Sequence, residues 1–294
     1  MTAADESGVK EDQTLLVDDT HLRALWSRPS FFDYISQLWR RRHFIQAEAK
    51  SKSLGTGRGT FLGKLWIILD PLLQVAVYAV IFGLILKVDR GIDNFIGFLV
   101  IGVIYFGFLT SGLSAGSGLI QNSKNMISSF SFPRASLAFS VTLRNMIDNL
   151  APALVAVILA LATQYYQAPS WTVMLVVPLF LVLHVFTLGL TLIVARITAF
   201  IPDAKPLVAL LQRALFFVSG IFFSVERFND QPLIQEIMLA NPFYKFLSAF
   251  RICVLHGEVP PLDLWIALVI WSGGTAVVGI LFFWQAEARY SGVR

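Results

Sequence analysis

The sequence predicts an all-α integral membrane protein with six transmembrane helices. Six apolar runs are each long enough to cross a bilayer, since about 20 mostly apolar residues span a hydrocarbon core of roughly 30 Å as a helix. Hydrophobic residues make up 56% of the 294-residue chain and charged residues only 14%, whereas a soluble domain carries about a quarter charged residues. The runs are Leu62–Lys87, Asn94–Leu119, Ser136–Thr163, Trp171–Ala199, Lys205–Phe223 and Leu262–Ala286.

The chain ahead of the first span divides into two regions. Residues 1–30 are polar and acidic, which predicts a disordered cytoplasmic tail rather than a cleavable signal peptide. Residues 31–60 are predicted to form an amphipathic helix in the lipid headgroup layer, followed by a Gly-rich elbow; a surface helix packed on a soluble partner is the alternative. The six-span domain occupies residues 61–290. The apolar helical face comprises Phe31, Ile35, Leu38, Ile45 and Ala49, and the opposite side carries Arg40, Arg41 and Arg42.

The segment between the fifth and sixth spans is too interrupted to cross the bilayer itself. Two short apolar stretches, Pro232–Ala240 and Phe243–Leu255, meet at Asn241-Pro242, where a helix must stop or kink. The pattern predicts two short re-entrant helices covered by protein at the break. An outer loop with two surface helices is the alternative.

The distribution of basic residues predicts the orientation. Ten Lys and Arg residues lie between Lys10 and Lys64, and further ones follow in the connections that face the same side. The connection Gln164–Ser170, on the opposite side, has no charge. The positive-inside rule therefore places both termini in the cytoplasm. Topology accounts for the basic charge, so no nucleic-acid partner is expected.

Four ionisable residues fall inside the predicted spans, at Asp70, Arg144, Asp148 and Arg213. Three of them lie roughly 12 Å from the cytoplasmic end of their span, at about 1.5 Å per helical residue. Asp148 lies one turn deeper, four residues from Arg144, which is the spacing of a same-face pair. We expect a charge-balanced cluster that ties the first, third and fifth spans. Purely structural neutralisation and attraction of an anionic group from the cytoplasm are both consistent with it.

The aromatic side chains are abundant, with 25 Phe, 7 Trp and 7 Tyr. Most lie near span ends, as an interfacial belt predicts. Phe216-Phe217 and Phe222-Phe223 instead fall in and above the middle of the fifth run. Such rings could line a path for sugars or acyl chains, or simply pack in the core.

The sequence contains no pattern of a catalytic or metal site. Its four His residues are scattered, and no Ser-His-Asp or paired-carboxylate arrangement falls on one face. The glycines near Gly63-Lys64 do not form a nucleotide-binding loop, because Arg58 stands where a Gly is required and Leu65 follows the Lys. We therefore expect a transport protein that binds no metal and no ATP of its own.

A series of short motifs resembles the membrane permease of ABC transporters that export polysaccharides, the type that handles O-antigen, capsule, teichoic acid or cell-wall galactan. The resemblance covers about residues 31–290, and the order and spacing of the motifs carry it. In chain order they are Ser53-Leu54-Gly55, Leu62-Gly63-Lys64-Leu65-Trp66, Asp70-Pro71-Leu72, Val77-Tyr78, Phe82, Phe132-Pro133, Arg196 with Asp203, Gln212, Phe217–Phe223, Asn241-Pro242 and Arg251.

The resemblance implies a permease homodimer in the cytoplasmic membrane, bound to two separate ATPase subunits that hold ATP and Mg²⁺. It also implies that the loop Gln121–Ala135 contacts the ATPase, with Lys124, Asn125 and Arg134 as coupling candidates. The first and fifth spans would line the channel for a lipid-linked glycan. The candidate channel residues are Trp66, Tyr78, Phe82, Phe216, Phe217, Phe222 and Phe223.

Two other functions are consistent with the residues. A related ABC permease for drugs or lipids would share the six spans. A membrane enzyme that acts on lipid-linked sugars would need a catalytic acid near the headgroup layer, and Asp70 is the candidate for that role.

Overall fold

The computed structural model describes residues 29–55, 62–85, 92, 94–130, 132–164, 169–228 and 230–292. The predicted acidic tail lies almost wholly outside these residues, as does most of the predicted elbow. The described part is helical and contains no strand. Its α-helices are α1 (Phe31–Arg40), α2 (Arg42–Gly55), α3 (Trp66–Tyr78), α4 (Phe95–Gly116), α5 (Leu119–Asn122), α6 (Lys124–Ser129), α7 (Ala135–Ala162), α8 (Val176–Phe200), α9 (Ala204–Val218), α10 (Pro232–Ala240), α11 (Pro242–Arg251) and α12 (Leu262–Trp284).

Short segments of other helical types extend several of these helices. The π-helical segments Ala79–Ile85 and Ile252–His256 continue α3 and α11. A 3₁₀ segment, Trp171–Leu175, leads into α8, and another, Glu287–Gly292, follows α12.

Five helical segments of the described chain are long and apolar enough to span a membrane, and the bent pair α10–α11 could count as a sixth. The five coincide with the first, second, third, fourth and sixth predicted runs. The fifth run, Lys205–Phe223, is different, because α9 has only 15 residues and is about 22 Å long. The prediction of an unbroken helix up to Phe223 was wrong. The chain turns at Gly220, whose φ of +65° lies in the left-handed region that L side chains rarely adopt.

The helix α4 lies at the centre of the bundle and α3 at its edge. In the most apolar 18-residue stretch of α4, 78% of the residues are buried. In the corresponding stretch of the edge helix, Trp66–Gly83, only 6% are buried. The helix α4 packs between α7 and α8, and α8 packs in turn on α12. An edge position for α3 leaves most of its apolar surface exposed in the part of the chain that the structure describes.

Small residues allow α8 and α12 to approach closely. A Cβ atom at Gly189 would lie 2.4 Å from the backbone carbon of Thr275, and one at Gly279 would lie 2.7 Å from the carbonyl oxygen of Gly189. Thr191 of α8 also donates a hydrogen bond to the carbonyl of Gly112 in α4, at 3.1 Å. Close backbone approach and such hydrogen bonds are the main sources of helix association where lipid removes the hydrophobic driving force.

The bundle has two distinct ends. The near end comprises α1, the start of α7, the end of α12 and the segment Glu287–Gly292, which meet through hydrogen bonds. The far end comprises the start of α4, the end of α7 and the end of α11, which meet through Asn94 and Gln164.

The predicted single N-terminal helix is two helices that separate at Arg41. Its predicted apolar face is divided accordingly. Leu38, Ile45 and Ala49 are buried against the protein, while Ile35 is exposed. The helix α2 packs along α7, and Ser53 near its end donates a hydrogen bond to Asp148. The protein therefore covers the apolar face of α2, whereas Phe32 and Trp39 of α1, 85% and 70% exposed, remain uncovered.

The helices α10 and α11 follow the predicted stretches closely and are bent by 81° at Asn241-Pro242. Asn241 ends α10 and begins α11, because its side chain accepts a hydrogen bond from the amide of Phe243. It also donates to Ser219, at 3.0 Å, just beyond the end of α9. The break in this helix pair and the turn after α9 are thereby held together.

Candidate functional site

The candidate site is a face of α3 and α9 at the edge of the bundle, and its main feature is a connected group of aromatic rings. Tyr78 of α3 lies 5.5 Å from Phe216 and 5.3 Å from Phe222, between ring centroids. Phe82 stacks on Phe222 at 3.9 Å. Phe217 lies 5.6 Å from Phe216 at the outer edge of the group. The structure thus brings together five of the seven aromatic residues that the sequence singled out.

The rings of this group differ in exposure. Phe222 is 1% exposed and belongs to the core of the chain, whereas Phe217 is 59% exposed. Tyr78, Phe82 and Phe216 are half-buried between them. The group therefore has a buried base and an open surface, and Phe217 is the ring that is most available to a passing molecule.

The two remaining aromatic candidates lie apart from this group. Trp66 is an exposed residue at the start of α3, three helical turns before Tyr78. Phe223 contacts Phe228, with ring centroids 5.2 Å apart, rather than the rings of α3.

The four predicted intramembrane charges separate into a pair and two single residues. Arg144 and Asp148 form an ion pair at 3.3 Å within α7, and Ser53 donates to the second carboxylate oxygen. Asp70 and Arg213 are exposed. Among the described residues, neither of them forms an ion pair with the other or with the α7 pair. A single chain therefore does not assemble the predicted cluster.

Asp70 on α3 and Arg213 on α9 each lie among other polar groups on exposed surface. Asp70 accepts a hydrogen bond from Gln74, at 3.1 Å. Next to Arg213, Gln212 donates to Ser114 of α4, at 2.8 Å. Exposed apolar residues surround these polar groups on the same two helices, among them Leu73, Val77, Leu207, Leu210 and Leu211. This mixed surface is unlike the exposed side of α12, whose middle is apolar.

The near end also contains a buried group of hydrogen-bonded polar side chains that the sequence did not predict. Glu287 is 3% exposed and accepts hydrogen bonds from the Tyr34 hydroxyl and the Arg134 amide, each at 2.8 Å. The Arg134 side chain lies 3.4 Å from the same carboxylate. The Tyr34 oxygen accepts from the amide of Ala135 at 3.2 Å. We call Tyr34, Arg134 and Glu287 the near-end triad.

The near-end triad joins three separate parts of the chain, which are α1, the start of α7 and the segment after α12. Burial raises the pKa of Glu287 above its usual value, although the hydrogen bonds from Arg134 and Tyr34 oppose that shift. Burial also raises the pKa of Tyr34, and the neighbouring carboxylate adds to the rise. The only sequence signal is a single acid that directly follows an apolar span.

The predicted coupling residues differ in their surroundings. Lys124 and Asn125 are exposed on α6. Ile127 on its other side is buried in an apolar cluster with Leu38, Ala138 and Phe283, which we call the near-end core. Phe130 directly after α6 is 68% exposed. Arg134 is instead bound within the near-end triad. The surface of α6 can therefore meet a partner, and its base is connected to the membrane helices.

The basic triplet of the first two helices is exposed, and Arg42 lies over the Trp39 ring at 5.5 Å. Among the described residues, no three His, Cys, Asp or Glu side chains come close enough to hold a metal ion.

The comparisons with known proteins agree with this architecture. Residues 45–255 match the ABC-2 type transporter family. The chain is 25% identical over 250 residues to an O-antigen export system permease protein of Myxococcus xanthus, which covers 85% of this chain and 90% of that protein. It is 24% identical to a Klebsiella pneumoniae protein of the same description over 80% of this chain and 88% of that one. A polysialic acid transport protein of Escherichia coli is 23% identical over 71% of this chain and 80% of its own length. The chain therefore belongs to the ABC-2 type transporter family and is a transport subunit rather than an enzyme.

Proposed function

We propose that this chain is the permease subunit of an ATP-driven exporter that moves a lipid-linked polysaccharide across the cytoplasmic membrane. The glycan is of the O-antigen, teichoic acid or galactan type. The observation that supports this function best is the exposed aromatic and polar face of α3 and α9. The relatives described as O-antigen export and polysialic acid transport proteins support the substrate class.

The exposed face of α3 and α9 suits a homodimer interface that surrounds a pathway. An ionised residue in contact with lipid at this depth costs at least about 2.5–3.5 kcal/mol. Asp70 and Arg213 both lie on exposed surface in the single chain. In a two-fold symmetric dimer, the second copy presents the same face. Asp70 of each copy can then pair with Arg213 of the other. The second copy would therefore cover both charges and complete the cluster that a single chain leaves open.

The aromatic rings suit the translocation of a long sugar chain. Sugars present apolar C–H faces that rest on aromatic rings, and each contact is weak enough for the glycan to keep moving. In this arrangement, Phe217 contacts the glycan directly. Phe222 lies beneath it and holds the rings of α3 and α9 in register through its contacts with Phe82 and Phe216.

The near end suits transmission of force from two ATPase subunits, which would bind and hydrolyse ATP with Mg²⁺. The exposed residues Lys124, Asn125 and Phe130 would contact the ATPase. Ile127 of the same helix is buried in the near-end core, so a displacement of α6 reaches the membrane helices. The near-end triad would pass the displacement to α1 and α7, because Glu287 binds groups from both.

The same proposal includes the orientation and the two peripheral helices. The near end faces the cytoplasm, as the excess of basic residues before the first span predicts. The uncovered side chains Phe32, Ile35 and Trp39 repeat at helical spacing, so α1 would lie in the headgroup layer with Arg40, Arg41 and Arg42 near lipid phosphates. The helices α10 and α11 would enter the membrane from the far side and return.

Transport in a defined system tests this function. The chain and its partner ATPase would be reconstituted in proteoliposomes that contain a lipid-linked glycan. We expect the glycan to become accessible to a membrane-impermeant lectin on the opposite side only when ATP is present, and not with an ATPase that binds ATP without hydrolysing it. ATP-driven movement of a drug or a simple phospholipid, without movement of the glycan, would support the alternative permease function and contradict this one.

A further inference from the structure

A polar pocket at the far end of the bundle has no role in the pathway described above. Its volume is about 160 Å³, and it lies between the start of α4, the turn after α9 and the last part of α11. A cavity of about 10–15 Å³ by the same measure holds one water molecule, so the pocket is much larger than a single water site. It therefore has the size of a ligand subsite.

One of the residues that line the pocket is a buried cation. Arg251 is 4% exposed and donates hydrogen bonds to the carbonyls of Gly220, at 2.8 Å, and of Phe98, at 3.2 Å. Its guanidinium lies 3.3 Å from the centroid of the Phe98 ring. A Cβ atom at Gly102 would lie 2.6 Å from this guanidinium, so the glycine leaves room for it.

The positive charge of Arg251 has no acidic partner. Among the described residues, no carboxylate lies within 4.0 Å of its guanidinium, and its Nε–H has no hydrogen-bond acceptor. Carbonyl groups and an aromatic face stabilise the cation without neutralising it. A carboxylate that entered the pocket would therefore meet a positive charge that no carboxylate within 4.0 Å compensates, and burial of that charge makes the attraction stronger than in bulk water.

The remaining lining residues offer both donors and acceptors of hydrogen bonds. Glu226 and His256 are exposed residues of the lining, whereas Tyr244, Ser224 and Ser248 are half-buried in it. The hydroxyl groups of a sugar ring can donate hydrogen bonds to the acceptors among these side chains and accept hydrogen bonds from the donors. An inorganic phosphate dianion suits the pocket less well than a carboxylate, because Glu226 repels two negative charges more strongly than one. Mixed polar groups beside aromatic rings indicate a sugar as the ligand.

We propose that the far-end pocket binds one sugar residue of the translocated glycan, with a preference for a residue that carries a carboxylate. The carboxylate points toward Arg251, and the ring hydroxyls contact Glu226, Tyr244 and the two serines. This inference rests on the proposed export function and deepens it. It adds a subsite at the point where the glycan leaves the pathway. The pocket would hold each emerging residue briefly and so oppose backward sliding.

Binding of simple sugars to the purified full chain in phosphatidylcholine nanodiscs tests the pocket without ATPase or transport. The probes are methyl glucuronoside and methyl glucoside, measured by saturation-transfer NMR and titration calorimetry. We expect both sugars to bind. The glucuronoside should bind about tenfold more tightly, because its carboxylate forms one additional charge-assisted hydrogen bond. Equal affinity for the two sugars, or binding of inorganic phosphate without binding of either sugar, would contradict the proposal.

Substitutions in the lining locate the binding. Glu226→Gln removes the negative charge but keeps a hydrogen-bond acceptor, and it is expected to raise the affinity for the glucuronoside relative to that for the glucoside several-fold. Glu258→Gln, an exposed acid outside the pocket, serves as the matched control. Ser248→Leu fills the pocket and should abolish binding of both sugars, and its thermal unfolding is measured to show that it folds. Undiminished binding by a folded Ser248→Leu protein overturns the assignment.

The two proposals can fail independently. Sugar binding that depends on Ser248, combined with no ATP-driven export of any glycan, would reject the export function and leave the pocket assigned. Normal export by the Ser248→Leu protein would reject the subsite and leave the export function standing.

Discussion

Two phenylalanines that lie five residues apart in the sequence occupy opposite sides of the aromatic group. Replacing Phe222 by Ala removes a ring that is stacked on Phe82 and is expected to lower the free energy of unfolding by about 3–5 kcal/mol. Replacing the exposed Phe217 should leave stability within about 0.5 kcal/mol and slow export instead. Folded yield and the initial rate of glycan export measure the two effects. Normal export by Phe217→Ala at normal expression would show that this ring does not contact the glycan.

Glu287 provides a second prediction at the level of single residues. Glu287→Ala leaves the Arg134 amide and the Tyr34 hydroxyl without their acceptor, and each such buried group costs about 1–3 kcal/mol. We expect a lower unfolding temperature and a loss of ATPase stimulation by substrate, because α1 and α7 lose their common contact with the segment after α12. Glu236→Ala, an exposed acid of α10, is the control. A Glu287→Ala protein as stable as this control would contradict the role of the near-end triad.

The pKa of Glu287 also predicts a pH dependence. Burial raises this pKa, so the folded state favours the protonated carboxyl relative to the unfolded state, where the pKa is about 4.3. The contribution of Glu287 to stability is therefore greatest below that value and decreases as the pH rises through the raised pKa. Unfolding temperatures of the wild type and Glu287→Gln, compared from pH 4 to 8, should shift in favour of Gln as the pH rises. A constant difference would contradict the shift.

Local sequence patterns could predict some contacts of the candidate site but not others. The Arg144–Asp148 pair follows from helical spacing within one element. The Tyr34–Glu287 hydrogen bond joins residues that lie at opposite ends of the sequence, and no local pattern connects them. Likewise, the exposed Phe217 and the buried Phe222 have the same side chain and similar neighbours in the sequence. Only the turn at Gly220, which folds Phe222 back over α3, separates their environments.

At the level of helices, close packing of α8 on α12 depends on Gly189. Gly189→Ala would place a methyl group 2.4 Å from the backbone of Thr275, and overpacking of this kind costs about 1–3 kcal/mol. We expect a lower unfolding temperature in nanodiscs. Gly273→Ala in α12, where nothing lies within 4 Å of the new methyl group, is the matched control and should be tolerated. Equal stability of the two variants would show that α8 and α12 are not held at the described separation.

The apolar runs of the sequence predicted the positions of the long helices well. They did not predict where α9 ends or which helices are covered by protein. Five runs correspond to long helices because length and apolarity are properties of one segment. The end of α9 depends on a left-handed glycine and on Arg251, which binds the carbonyls beyond it from a distant helix. The cover of α2 by α7 likewise depends on a partner helix, so amphipathicity alone did not distinguish a lipid-facing helix from a protein-facing one.

At the level of the whole molecule, Asp70 and Arg213 are predicted to connect two copies of the chain. Asp70→Asn alone leaves Arg213 of the partner uncompensated, and loss of one member of a buried pair costs about 3–5 kcal/mol. We expect a smaller dimer fraction by mass photometry in nanodiscs, and partial recovery when Arg213→Gln is added. Asp263→Asn, an exposed acid at the start of α12, is the control. Full dimerisation of each single variant would contradict an ion pair across the interface.

The central claim is that two copies of the chain enclose a glycan pathway between their α3 and α9 faces. The most direct measurement uses Phe217→Cys in a Cys253→Ala background, with Val269→Cys on the exposed side of α12 as the control. We predict that a short crosslinker that attaches to cysteine through disulfide bonds joins two chains through residue 217 but not through residue 269. We also predict that the crosslink stops ATP-driven export and that a reductant restores it. Export that continues through a fully crosslinked dimer, or the absence of any crosslink at residue 217, would contradict the account.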